Sequence, residues 1–294
     1  MNSKTVLTVV GAPRPHWVGD GFLVQPLFGP AAFTPAVSPF LMFDWAAPTA
    51  FPPRAEPHGV GPHPHRGFET VTIVYEGAID HRDSAGHVDS IDVGDVQWMT
   101  AGAGVVHEEF HGRSVSDHGG TVSMAQLWVN LPAEHKMTPP RYQPILAGDI
   151  PVVRLDGGRV RVIAGSWPGG GDAPVRGPAK TFTPLAVWDV DLEAGATLDA
   201  VVPEGWTALV CVLAGDVVVD GSEVGAPRVA VLSRAGGDFS AVAGGDGAKL
   251  LVLAGAPIDE PIAAHGPFVM NTREEIRVAI ADYSAGRMGT LTSR

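Results

Sequence analysis

The segment Pro62-His63-Pro64-His65-Arg66-Gly67-Phe68-Glu69-Thr70 is the point from which the chain is best read. In an extended strand, residues two apart point to the same face, so His63 and His65 send two imidazoles one way. About forty residues downstream lies Gly102-Ala103-Gly104-Val105-Val106-His107-Glu108-Glu109, in which His107 and Glu109 send an imidazole and a carboxylate the same way. Two such strands side by side offer three nitrogens and one or two oxygens to a single point. That donor set suits a divalent metal such as Fe, Mn, Ni, Cu or Zn. A lone strand histidine is more often a satisfied core or surface residue than a ligand. A pair of such motifs with alternating parity is much harder to assign to packing.

The carboxylate is the least determined ligand. Glu69 shares the parity of His63 and His65, but Gly67 can break the strand before it. Glu109 lies two residues from His107 with the same parity, and Glu108 points to the opposite face. His111 shares the parity of His107 and is a reserve. His58, His81, His87 and His118 fall in expected loops or turns and are read as surface residues. Parity favours His63, His65, His107 and Glu109.

Outward from this core, the pattern is of short strands punctuated by glycine. Thr70 to Tyr75 is β-branched and aromatic; Ala78 to Asp83 and His87 to Val93 form a hairpin about Ser84-Ala85-Gly86. Strands are also expected over 96–100, 105–110 and 121–131. Upstream, Ala46 to Pro62 carries Pro48, Pro52, Pro53 and Pro57 and reads as a stiff surface loop that delivers the chain to His63. Short strands with regular glycine turns indicate an antiparallel sandwich or barrel. The proline-rich stretch 136–158 reads as a connection, after which the strand rhythm resumes, and Ala208 to Gly221 loosely repeats Val71 to Gly86. The expected architecture is all-β: two tandem domains, 1–135 and 136–294, with a short C-terminal α-helix. That helix is signalled by an Asn271 or Thr272 cap with Glu in the first turn, by Ile276, Ala279, Ile280 and Tyr283 at helical spacing, and by a stop at Gly286.

Eleven histidines are present, and none lies between His135 and His265. A multi-histidine metal centre can therefore form in the first domain and not in the second.

Composition narrows the function further. The 294 residues include 45% hydrophobic and 18% charged side chains, with a formal charge of −12, which describes a globular chain. An acidic surface without a basic stripe disfavours direct nucleic-acid binding. The one cysteine, Cys211, precludes an intrachain disulfide, fits a reducing compartment and reads as a small core residue. No apolar run approaches the ~20 residues of a membrane helix, so the expected location is the cytoplasm, away from membranes.

His63 to Tyr75, the run Gly94-Asp95-Val96-Gln97-Trp98-Met99-Thr100-Ala101-Gly102, His107-Glu108-Glu109, Ala125-Gln126-Leu127-Trp128-Val129-Asn130-Leu131 and Gly266-Pro267-Phe268-Val269-Met270-Asn271-Thr272 together resemble the pirin family of the cupin superfamily. The likeness runs from about Ser38 to Tyr283 with a poorly matching middle. It implies a bicupin of two β-sandwich or jelly-roll barrels, with one metal in the N-terminal domain held by His63, His65, His107 and Glu109. The metal implied is most often Fe(II), with Mn, Ni, Co, Cu and Zn as alternatives, and Glu69 is then placed behind the ligands to orient an imidazole.

Several bacterial pirins are similar to quercetin 2,3-dioxygenases, which cleave a flavonol with O₂ and release carbon monoxide. That implies a flavonol or other flat aromatic substrate, with Glu109 as both ligand and catalytic base. Phe40, Phe43, Trp98 and Met99 are candidates for the pocket wall, and Arg66 either holds an anionic substrate group or pairs with a nearby carboxylate. The contrasting expectation is a non-catalytic, metal- or redox-responsive regulator that binds a transcription factor or metabolic enzyme. A sugar- or small-acid isomerase of the wider superfamily is disfavoured by the family-specific motifs. A deep pocket open to the metal would distinguish an enzyme from a regulator.

Overall fold

The structure, a computed structural model, describes residues 3–11, 13–29, 35–168 and 173–291. Strands dominate, and among the described residues there are two α-helices, Arg113–His118 and Arg273–Ser284. The chain divides into two compact units, each drawn from several segments. One combines Arg14–Ala31, Phe40–Ala147 and Asp259–Arg294; the other combines Met1–Pro13, Ala32–Pro39 and Gly148–Ile258. The C-terminal helix, which the sequence attaches to the 136–294 domain, thus belongs to the unit that carries the histidine motifs. Its apolar stripe, Ile276 and Ala279, packs with Val106, Phe268 and Met270. A capping box closes its first turn: the Thr272 side chain accepts from the Glu275 amide and the Glu275 carboxylate accepts from the Thr272 amide.

In the histidine-bearing unit a seven-stranded sheet packs against a four-stranded one. The larger runs, in order, Arg141–Ile145, Val96–Thr100, Phe68–Glu76, Gly120–Asn130, Phe40–Phe51, Phe22–Phe28 and His16–Val18; the smaller runs Gly59–His65, Val105–His111, Ile79–Asp83 and Val88–Ile91. All the pairings are antiparallel. Cross-strand register sets which side chains share a face. Asp44, Gln126, Thr72 and Gln97 form one row across the large sheet, and Met42, Trp128, Thr70 and Met99 form another. The row between them, Phe43, Leu127, Val71 and Trp98, faces the other way and is fully buried.

The expected loop from Ala46 to Pro62 is shorter than its prolines suggest. Strand Phe40–Phe51 runs through Pro48, and Gly59–His65 already contains Pro62 and Pro64. Pro48 falls at a register shift opposite Val122 and Met124, and Gly59–His65 is an edge strand. A missing amide hydrogen is tolerated at both kinds of position.

The other unit is built on a nine-stranded sheet dominated by Thr207–Val219 and Asp238–Gly255. Its inner face is a continuous aliphatic core including Val210, Leu250 and Val252, with Trp188. Cys211 is buried and free. The buried Asp189 is neutralised by Arg161 at 2.9 Å and Lys249 at 2.7 Å. The residues of this unit include no histidine.

Candidate metal centre

His63 and His65 lie on the edge strand Gly59–His65, and His107 and Glu109 on its neighbour Val105–His111. In the ladder His107 is directly opposite His63, and Val105 opposite His65. A register shift between His107 and Glu109 leaves Glu109 opposite Val60, so the bulge absorbs Gly61 and Pro62 and turns the two motifs toward each other. The imidazole centroids are 4.2 Å apart for His63 and His107, 4.8 Å for His65 and His107, and 4.9 Å for His63 and His65. One nitrogen from each ring lies within 4.8 Å of the others.

The protonation states match a cation site. His63 Nδ1 lies 2.9 Å from the Gly61 carbonyl; a carbonyl only accepts, so Nδ1 donates there and Nε2 is the ring nitrogen left to face a cation. His65 Nδ1 and His107 Nε2 are buried without a hydrogen-bond partner. Burial holds both rings well below the ordinary histidine pKa, reinforced by neighbouring imidazoles: His63 for both, with His65 and His81 adding to it at His107. Neutral rings with unspent lone pairs in a dry setting are the state that binds a divalent metal. The residues present therefore fit such an ion.

Glu109 is buried, and among the described residues the acid-containing group whose ligand atoms lie within 4.8 Å of one another is His81, His107 and Glu109. Its Oε1 accepts from the Thr72 hydroxyl at 3.3 Å, and Thr72 is better placed on Gln126 at 2.7 Å. Glu109 is thus only lightly held. Glu108 points to the opposite face, paired with Arg82 at 2.7 Å. The reserve candidate His111 is spent on packing: its Nε2 donates to the Gly21 carbonyl at 2.8 Å, and its ring stands edge-on to Phe51.

His81 departs from its expected surface position. It is not on the surface but fully buried on strand Ile79–Asp83, with its ring 5.4 Å from that of His107. The usable signal was the alternation His81-Arg82-Asp83 within a segment already read as a strand.

A cavity of about 410 Å³ opens beside the imidazoles, walled by His63, His65 and Glu109 on one side and by Met42, Asp44, Met124, Gln126 and Trp128 on the other, with Phe22 and Val24. Its size and largely apolar wall are those of a small-molecule site. The aromatic wall is Trp128, which meets His65 edge-on. The side chains expected there are elsewhere. Phe43 and Trp98 lie on the opposite face of the sheet, Phe40 is buried without reaching the cavity, and Met99 packs with Ala101, Val105 and Tyr142. Their neighbour Met42 takes the place, because parity brings it into the row of Trp128.

Arg66 does not face the cavity. It is buried, donates from Nε to the Ala103 carbonyl at 2.6 Å, and pairs through Nη1 with Asp282 of the C-terminal helix at 2.8 Å, so the carboxylate-pairing expectation holds.

Glu69 contacts no ligand imidazole among the hydrogen bonds of the described residues. It accepts from Thr100 Oγ1 at 2.7 Å and lies 3.7 Å from Arg141. Burial pushes its carboxyl up to about 7, against the opposing pull of Thr100 and Arg141. A folded-state pKa raised from 4.5 means that its stabilising contribution is complete below pH 4.5 and is lost as pH rises to 7. Glu69→Gln is expected to remove that loss and raise stability at pH 8 by about 2–3 kcal/mol, with little gain at pH 4. Urea unfolding at the two pH values measures the difference.

The comparisons with known proteins agree with this geometry. A family signature described as Pirin matches residues 22–129, and one described as Pirin C-terminal cupin domain matches 187–289. The chain belongs to the pirin family. This pirin accordingly carries two cupin domains. A Pseudomonas aeruginosa protein named "Putative quercetin 2,3-dioxygenase PA2418" is 50% identical over 97% of this chain and 98% of its own length. A crystal structure of quercetin 2,3-dioxygenase from Acinetobacter baumannii is 51% identical, covers 99% of this chain and all of that one, and superposes with a TM-score of 0.94. Rat pirin is 38% identical over 86% of this chain and 83% of its own length. No helix among the described residues is long and apolar enough to cross a membrane.

Proposed function

We propose that this pirin is a metal-dependent dioxygenase that cleaves flavonols such as quercetin with O₂, with His63, His65, His107 and Glu109 holding one divalent ion, Fe(II) first among the candidates. The observation that carries the reading is the conjunction of three clustered imidazoles, two of them with buried unpartnered nitrogens, and a cavity in which His63, His65 and Glu109 form one wall. A cavity that opens on the cluster supports an enzyme over a regulator whose metal only alters a surface. The 51% identity to a quercetin 2,3-dioxygenase along the whole chain supports the substrate class.

When bound, the metal supplies positive charge that eases loss of a hydroxyl proton and a redox centre for O₂. The chain's own residues do the rest. Trp128 and Met42 present flat, polarisable surface to an aromatic ring, and burial around the imidazoles excludes water. Glu109, lightly held by Thr72, is the group that takes the flavonol 3-hydroxyl proton. Residence in the cytoplasm belongs to the same reading, supported by the free, buried Cys211.

Anaerobic reconstitution with Fe(II), Mn, Co, Ni, Cu or Zn, followed by admission of O₂ and quercetin, tests the activity. At least one metal is expected to give loss of the flavonol absorbance with stoichiometric carbon monoxide. Tight binding of one metal per chain with no ring cleavage under any of them would replace the enzyme by the regulator.

A further inference from the structure

Behind His107 lies a chain of polar contacts that leads away from the cavity. His107 Nδ1 is 3.5 Å from His81 Nδ1; His81 Nε2 is 3.4 Å from Asp83 Oδ2; the same oxygen is 2.9 Å from His87 Nδ1. The first two are longer than an ordinary hydrogen bond and therefore weak. The ladder makes this arrangement intrinsic to the sheet, since Asp83 is directly opposite His107, and His81 opposite Glu109. The His81 ring is held in place by stacking on Tyr142, at 4.9 Å and 24°. Tyr142 is in turn anchored to Asp89 through its hydroxyl at 3.0 Å.

The proton positions follow from what each group can do. The Asp83 carboxylate only accepts, so His81 carries its hydrogen on Nε2. A neutral ring then has a bare Nδ1. The facing Nδ1 of His107 must be the donor, which leaves the lone pair of His107 on Nε2. That atom is the buried nitrogen without a partner.

We propose that Asp83 and His81 are positioning residues, which fix His107 in the one tautomer able to bind a cation through Nε2. The inference rests on His107 being a metal ligand, as argued above, and deepens that reading by extending it to two residues that do not touch the ion. A carboxylate–imidazole pair behind a ligand imidazole raises metal affinity by orienting the ring and setting its tautomer.

Asp83→Asn is the sharpest probe. Asp83 Oδ1 accepts the amides of Ala85 and His87 at 2.9 and 3.0 Å, and asparagine keeps that oxygen, so the turn is preserved. The new Nδ2 donates where Oδ2 accepted. It forces the His81 hydrogen to Nδ1, and with it the His107 hydrogen to Nε2. His81→Phe is the second variant; it keeps a ring against Tyr142 and removes the acceptor.

Two readouts separate this proposal from the reading beneath it. In the metal-free protein, long-range proton–nitrogen spectra of labelled histidine are expected to show His107 protonated at Nδ1, and at Nε2 in Asp83→Asn. Chelator competition with Ni(II) is expected to show at least tenfold weaker binding in both variants, with metal-free melting temperatures near that of the parent. A parent His107 protonated at Nε2, or both variants within twofold of the parent's Ni(II) affinity, would overturn the proposal. Ni(II) binding that survives His63→Ala but not His81→Phe would place the ion on His81, His107 and Glu109, and would overturn it as well. If Asp83→Asn fails to fold by circular dichroism, the parent spectrum and His81→Phe still decide. Parent protein that binds no Ni(II) would defeat the ligand reading alone, while the metal-free spectra judge the tautomer independently.

Discussion

Replacing His63 and His107 together by alanine is expected to abolish stoichiometric metal binding and, with it, flavonol cleavage by at least about two orders of magnitude. The size follows from the geometry. These two rings face each other across one rung of the ladder with centroids 4.2 Å apart, and their loss removes two of the three imidazoles of the cluster. Removing groups that merely orient a ligand already costs ~10–100-fold in affinity, and removing two ligands costs more. A second signature is thermal. An ion that binds only the folded chain stabilises it by about 2.7 kcal/mol at a hundredfold excess over Kd, so the parent's melting temperature should rise with metal and the variant's should not. The metal-free variant should remain folded, because it loses a buried imidazole nitrogen that has no partner. Retained turnover in a variant shown to be metal-free would end the metal-centred mechanism.

The second large effect is expected two residues beyond His65. Gly67 has φ +87°, and a Cβ there would lie 2.0 Å from the Val269 carbonyl oxygen and 2.8 Å from Met270 Sδ. The neighbouring atoms cannot retreat easily. The Gly67 amide donates to the Gly102 carbonyl at 2.8 Å, and the Gly67 carbonyl accepts from buried Lys136 at 2.9 Å. That ammonium also donates to the Val269 carbonyl at 3.0 Å and to Asn130 Oδ1 at 2.8 Å. Gly67→Ala therefore combines a left-handed backbone with a clash against backbone, and is expected to lower unfolding stability by about 3 kcal/mol or more. Metal affinity should fall too, since the strand carrying His63 and His65 ends at this point. Urea midpoints measure the first effect; a loss under about 1 kcal/mol would show that the close approach is not rigid.

These two sites differ in how far the amino-acid sequence reveals them. The candidate ligand histidines stand out because strand alternation has a period of two, so His63-Pro64-His65 and His107-Glu108-Glu109 announce their own facing. The same local rule places Glu108 away from the cluster, where it meets Arg82. Capping chemistry, equally local, anticipates the C-terminal helix, whose Thr272 and Glu275 cap is read from four consecutive residues. Gly67 is visible only as a glycine that could interrupt a strand. What makes it indispensable is Val269, some two hundred residues away in the chain.

The misreadings share that cause. Alternation with Asp83 gives His81 an inward facing, but no local pattern records that Tyr142 will lie flat on it. Phe43 and Trp98, expected at the substrate, face away from it, because the antiparallel register turns Met42 and Trp128 inward instead. Arg66 stayed ambiguous until Asp282 came within 2.8 Å. The C-terminal helix was attached to its nearest neighbours in the chain, whereas its apolar stripe is covered by Val106, Phe268 and Met270.

Short-range periodicity, turn chemistry and the absence of histidine between His135 and His265 are thus enough to read off an all-β chain and to name the three imidazoles that its sheets bring together as a candidate metal centre. The cavity, the grouping of Glu109 with His81 and the carboxylate behind His107 arise from strands that are distant in sequence and adjacent in the sheets. Local pattern specifies which way a side chain points, but only the pairing of strands specifies what it points at.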